Sequence, residues 1–243
     1  MRIRGLLFDK DGTLIDYHAT WMPLNRAIAE FAAGGDRAMT ERILLHCGLD
    51  PATGRVKANT PLAVGTSDQI AASFAEVLGE AVPRGLPAEI ERIFGAGSTR
   101  TSVAVPGLRA ALETFARHQC VLGIATHDSL GGIEASLAPL GILPFFEFLA
   151  GADSGHGTKP EAGMAAAFCA ALGLVPQEIC VIGDNQHDLE MGHAAGAALT
   201  VGVLTGTSTE EDLRPHADRI YPGLAELAAD ESFLALLAPA GPR

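Results

Sequence analysis

Unbroken apolar runs, rather than alternating ones, punctuate the chain. Residues 2–8 (RIRGLLF) stop at the polar loop DKDGT, and residues 120–126 (CVLGIAT), 178–183 (EICVIG) and 199–204 (LTVGVL) form three more runs. Residues 219–221 read as a short fifth strand and residues 147–150 as a weaker one. Runs without polar alternation suit strands covered on both faces. Helical spacing lies between them: residues 106–118 place Leu108, Leu112 and Phe115 on one side, and residues 160–172 and 189–197 follow the same rule. Strand–helix alternation of this kind predicts an α/β fold, a doubly wound parallel sheet.

Residues 17–100 break the rhythm. Trp21, Leu24, Ile28 and Phe31 fall at helical spacing, as do Ile70, Phe74, Val77 and Leu78, and residues 37–47 and 88–94 read as two further helices. The pattern predicts a smaller all-helical domain over residues 17–100, inserted after the first strand of a core made of residues 1–16 and 101–243. Residues 95–101 (GAGSTRT) have the composition of a flexible return segment, expected to act as a hinge.

Composition narrows the partners. Net charge is −12, and the lysines are Lys10, Lys57 and Lys159 alone. A duplex-binding protein needs a basic surface to displace counterions, so a nucleic-acid partner is excluded. Cys47, Cys120, Cys169 and Cys180 form no CxxC pair and each lies in apolar sequence, which predicts buried free thiols in a reducing cytoplasm. No stretch approaches the length of an apolar membrane helix, so a cytoplasmic protein with no membrane partner is expected.

In an open α/β sheet the site lies at the carboxyl ends of the strands. Those ends carry Asp9 and Asp11, then Thr126, then Asp184 and Asp188, with Lys159 ahead of the helix between the second and third runs. Four carboxylates cannot stand together unneutralised. A hard divalent cation is the simplest remedy, and an oxygen-rich shell selects Mg2+. Metal, carboxylates and one lysine together suit a phosphoryl group, whose charge needs a cationic clamp.

Residues 8–13 (FDKDGT) resemble the first motif, DxDGT, of the haloacid dehalogenase (HAD) superfamily; Thr126 matches its second motif, Lys159-Pro160 its third, and residues 183–188 (GDNQHD) its fourth. The helical insertion sits where that family carries its C1 cap, and the general look is similar to phosphoglycolate phosphatases. The resemblance implies a Rossmann-like core and a phosphatase acting on a small-molecule phosphate ester through an aspartyl-phosphate. It implies Asp9 as nucleophile and metal ligand, and Asp11 as general acid and then base, with its backbone carbonyl on the metal. Thr126 and Lys159 would hold the phosphate, Asp184 would complete the metal shell, and Asp188 would support it directly or through water. A capping role for Asp188 on the following helix stays open.

Two positions depart from the family pattern. Lys10 stands where an apolar residue is usual, and its side chain is expected to point away from the site, between two inward-facing aspartates. His127 follows Thr126 where Asn is frequent; hydrogen bonding to Asp9 or phosphate and plain solvent exposure both remain open. In residues 50–67, Arg55 and Lys57 are candidate contacts to a second anionic group on the substrate, against the reading that both are solvated charges. Asp11 argues against dehalogenase or phosphonatase chemistry. A phosphomutase or other phosphotransferase keeps the same aspartate, and a non-catalytic phosphate-binding protein on this fold would lack a motif residue, which this chain does not.

Overall fold

The structure, a computed structural model, describes residues 2–239, without the side chains of 96 and 98–101. Two compact units divide the chain, one made of Met1–Asp16 and Val103–Arg243, the other of Tyr17–Ser102.

The chain opens with β1 (Gly5–Phe8) and passes into the second unit, whose helices are α1 (Tyr17–Ala32), α2 (Arg37–His46), α3 (Pro61–Val64), α4 (Ser67–Leu78) and α5 (Leu86–Thr101). Their apolar faces meet in one core that includes Ile28, Ile43, Leu44, Ile70, Phe74, Leu86 and Ile90. Starts are set by side chains: Asp36 accepts from the amides of Ala38 and Met39, and Thr66 and Gln69 form a reciprocal cap on α4.

One expectation needs correction here. On α1, Leu24 and Ile28 are buried and Phe31 is 43% exposed. Residues 95–101, expected as a flexible link, are the last turns of α5. Gly97 serves close packing: a Cβ there would run into the Leu24 side chain on α1. Tertiary contact of that kind holds a segment helical despite weak local propensity.

The first unit resumes beside the point where it was left. Asp16 N–H donates to Val103 O at 2.8 Å and Val105 N–H to Leu14 O at 3.1 Å. From there run α6 (Leu108–Arg117), β2 (Val121–Ala125), α7 (Leu130–Leu137), β3 (Phe148–Ala150), α8 (Gly163–Leu172), β4 (Ile179–Gly183), α9 (Gln186–Ala195), β5 (Leu199–Val203), α10 (Glu210–Leu213), β6 (Arg219–Tyr221), α11 (Leu224–Ala229) and α12 (Glu231–Leu234).

The six strands order as β3-β2-β1-β4-β5-β6, every pairing parallel. β1, β2, β4 and β5 are buried along their whole length, while the edge strands β3 and β6 are mostly half-buried. That difference explains why the interior strands read clearly as apolar runs and the edges weakly. Leu6 and Phe8 face one layer with Leu112 and Phe115 of α6; Leu7 faces the other with Phe168 of α8 and Met191 of α9. Fully burying such a side chain contributes roughly 1.5–3 kcal/mol, so both layers are needed to hold β1 central. β1 pairs with β2 on one side and β4 on the other, so the chain reverses its direction of winding at the carboxyl ends of β1 and β4.

Candidate active site

Asp9 is the first residue past β1, and its amide donates to Ile182 O of β4 at 2.9 Å, so the sheet itself sets its position. The following loop folds back on itself: the amides of Leu14 and Ile15 donate to Lys10 O at 2.9 and 3.0 Å, and Gly12 N–H donates to Ile15 O at 2.7 Å. Gly12 has φ +89, and a Cβ there would lie 2.6 Å from Asp184 Oδ1. Only glycine satisfies both the left-handed backbone and that close approach.

Lys159 reaches in from the loop before α8, with its Nζ 2.5 Å from Asp9 Oδ1 and 2.5 Å from Asp188 Oδ1. All three side chains are buried. Asp188 also accepts from Asn185 N–H through Oδ2 at 3.0 Å, so it caps α9 and pairs with Lys159 together. Asp184 Oδ2 accepts from Thr207 N–H at 3.0 Å, in the loop after β5. Thr205, in the same loop, donates its hydroxyl to Gly12 O at 2.5 Å.

One oxygen each from Asp9, Asp184 and Asp188 lie within 4.8 Å of one another. Electrostatics record the crowding. Burial pushes the Asp9 carboxyl up to about 7; Lys159 opposes the rise, and Asp188 and Asp11 add to it. Burial, then Asp9 and Asp188, hold Asp184 well above the usual carboxylate range. Burial works against the Lys159 ammonium, yet Asp188 and Asp9 outweigh it and raise its pKa. Three buried carboxylates facing one ammonium leave a deficit of positive charge. An all-oxygen donor set of this kind fits a hard divalent cation.

Thr126 lies buried at the end of β2, its amide donating to Ala150 O at 3.0 Å and its Oγ1 accepting from Asp128 N–H at 3.2 Å. A hydroxyl that accepts in this way still has its own proton to donate. His127, the next residue, is exposed. Its Nε2 lies 3.2 Å from Lys159 O, a hydrogen bond in which the ring nitrogen donates. Burial and the neighbouring Lys159 lower its pKa and favour the neutral ring.

Lys10 overturns an expectation. Its side chain does not turn away: it is fully buried, with Nζ 2.7 Å from Asp11 Oδ2 and 3.0 Å from Asp128 Oδ2. A buried ammonium must find counter-charge, and these two carboxylates supply it. The Asp11 carboxylate is accordingly engaged by Lys10 and stands outside the cluster of Asp9, Asp184 and Asp188. Arg55 and Lys57 are exposed and belong to the second unit.

Sequence reasoning missed Asp128, Thr205 and Thr207. The signal was available. All three follow the carboxyl ends of β2 or β5, and the strand-end rule that found Asp9, Thr126 and Asp184 applies equally to them.

Fold and site define an α/β enzyme core with a buried acidic centre at the switch point of its sheet. The sequence matches the model of the haloacid dehalogenase-like hydrolases over residues 3–196, and the chain belongs to that family. It is 25% identical to a phosphoglycolate phosphatase of Haemophilus influenzae over 223 residues, covering 90% of this chain and 94% of the relative. It is 26% identical to the phosphoglycolate phosphatase of Escherichia coli K12 over 241 residues, covering 93% and 91%. A crystal structure of a predicted phosphoglycolate phosphatase from Haemophilus somnus superposes with a TM-score of 0.73 at 19% identity, covering 94% of this chain and 98% of that one. Among the described residues no helix is long and apolar enough to cross a membrane.

Proposed function

We propose that this enzyme, a phosphoric monoester hydrolase of its family, cleaves a small-molecule phosphate ester in two steps through a phosphoryl group carried on Asp9. The observation that carries the reading is Asp9 itself, buried at the end of the central strand with its Oδ1 held 2.5 Å from the Lys159 ammonium. A carboxylate so placed is positioned, cleared of bulk water and paired with an ammonium, as a nucleophile needs to be.

In the first step an Asp9 oxygen forms a bond to phosphorus as the ester P–O bond breaks, and Asp11 gives its proton to the departing alkoxide. In the second, the Asp11 carboxylate takes a proton from water, the water oxygen bonds to phosphorus, and the bond to Asp9 breaks to release phosphate. Lys159 and the Thr126 hydroxyl hold the non-bridging oxygens as charge develops. His127 donates to the Lys159 backbone carbonyl. Asp9, Asp184, Asp188 and the backbone carbonyl of Asp11 are the groups proposed to hold Mg2+, which would neutralise the carboxylates and draw charge from the phosphoryl oxygens.

Phosphoglycolate is the proposed substrate, supported by the two relatives that bear its phosphatase's name. Asp9→Asn should abolish turnover at every pH, because an amide cannot form the acyl-phosphate. Residual activity within about tenfold of wild type would reject Asp9 as nucleophile, since covalent catalysts do not survive loss of the attacking atom. Comparing kcat/KM across phosphoglycolate, sugar phosphates and nucleotides tests the substrate. A sugar phosphate preferred over phosphoglycolate would reassign the substrate and leave the mechanism standing.

A further inference from the structure

The Lys10 ammonium joins two loops of the first unit. One of its partners, Asp11, lies on the loop after β1; the other, Asp128, lies on the loop after β2, two residues past Thr126. Asp128 is fastened in turn: its amide donates to Thr126 Oγ1 at 3.2 Å, and its Oδ1 accepts from Ser129 N–H at 2.7 Å. A chain of contacts thus runs from the Asp11 carboxylate through Lys10 and Asp128 to the Thr126 hydroxyl. Lys10 shows no solvent exposure, and its backbone carbonyl accepts from Leu14 and Ile15. Neither end of the residue is free to drift. A lysine whose only task was solubility would extend its ammonium into water.

We propose that Lys10 is a positioning residue for the proton-transfer group, locking the Asp11 carboxylate in register with the phosphate grip at Thr126. The proposal rests on the acid–base reading of Asp11 given above. Asp11 sits on a loop, where a carboxylate on a single-methylene side chain can rotate. A charged hydrogen bond to one of its oxygens removes that freedom. Anchoring the same ammonium on the β2 loop refers the carboxylate to the bound phosphate rather than to its own loop alone. Lys10 touches neither substrate nor phosphorus in this scheme. Its effect is felt where proton delivery to the leaving group limits the rate.

Leaving-group dependence and mutant coupling test this. Lys10→Met keeps the length and removes the charge. With excess magnesium, kcat on an alkyl phosphate should fall about tenfold to 10²-fold, the scale of a small misplacement of a reacting group. On p-nitrophenyl phosphate, whose leaving group needs little protonation, kcat should change by less than about threefold. KM should hold on both substrates. The double variant Lys10→Met/Asp11→Asn should be no slower than Asp11→Asn alone, since Lys10 acts only through Asp11. Asp128→Asn, which keeps Lys10 but weakens its second anchor, should act in the same direction, more mildly. If Lys10→Met does not fold, Asp128→Asn and its double with Asp11→Asn make the same comparison.

Equal loss on both phosphates, unchanged kcat on both, or losses that multiply in the double variant would each overturn the proposal. Asp11→Asn by itself isolates the underlying reading: if that variant loses equally on alkyl and aryl phosphates, the acid–base role of Asp11 falls first.

Discussion

At Asp9 two forces oppose each other, and their balance has a sign that can be measured. Burial pushes the carboxyl from 3.8 up to about 7, and Asp184 is raised in the same way. At Asp9 the folded chain therefore holds a proton that the unfolded chain has already released between roughly pH 4 and pH 7, and Asp184 acts in the same direction. Stability without metal should fall as pH rises through that window. In EDTA the melting temperature should be higher at pH 5 than at pH 8, and Asp9→Asn should remove part of that dependence by raising the value at pH 8. For a chain of this size each kcal/mol moves the midpoint by about 2–4 °C, so the shift is readable. Added magnesium should flatten the profile by relieving the same repulsion. An EDTA profile that rises from pH 5 to pH 8 would contradict the charge arrangement described above.

Elements place these side chains more than local loops do. The carboxyl ends of β1, β2, β4 and β5 each deliver part of the site, and hydrogen bonds between their loops hold it. Gly12 and Thr205 are the points where two such loops meet. Gly12→Ala would force a left-handed backbone on a residue that resists it and press a methyl on Asp184. It should destabilise by at least about 1 kcal/mol and lower turnover with it. Thr205→Val removes the hydroxyl that donates to Gly12 O while keeping the volume. A loss of about 1 kcal/mol is expected, the net value of one hydrogen bond, with a smaller fall in kcat than at Gly12. Melting curves and steady-state rates on both variants check the order. The longest helix missed in the sequence, α7, begins Leu130-Gly131-Gly132, which hides its period. What starts it is Ser129, whose Oγ accepts from Gly132 N–H at 3.0 Å, and what holds it is the burial of Ile133 and Leu137.

At the scale of the whole molecule, each unit owns a core. The first unit leaves and resumes at neighbouring backbone positions, with Ile15 and Ala104 in an antiparallel bridge. Such ends can be joined by a tight turn without moving the sheet. A chain in which residues 17–102 are replaced by a short Asn-Gly linker should fold, with α/β circular dichroism and one cooperative melting transition. Loss of cooperativity would mean that the first unit depends on the second for its core. The net charge of −12 is a property of this same scale and bears on solubility rather than fold.

What the sequence determined by itself is what short stretches can encode. Apolar runs named the interior strands because both faces of each are covered, and strand-end aspartates and threonine, with Lys159 ahead of α8, named the candidate site because parallel sheets put their polar chemistry there. The helices α1, α2, α4 and the middle of α5 were legible from period alone, and α3 was not. The tertiary structure decided the rest, for nonlocal reasons. Residues 95–101 are helical because Leu24 packs on Gly97, although their composition reads as flexible. Lys10 turns inward because Asp128, 118 positions along the chain, offers it a second carboxylate. Thr205 and Thr207 matter because β5 lies next to β4 in the sheet and brings their loop against Gly12 and Asp184. A buried charge takes its direction from partners that only the folded chain assembles, and no local pattern can announce them.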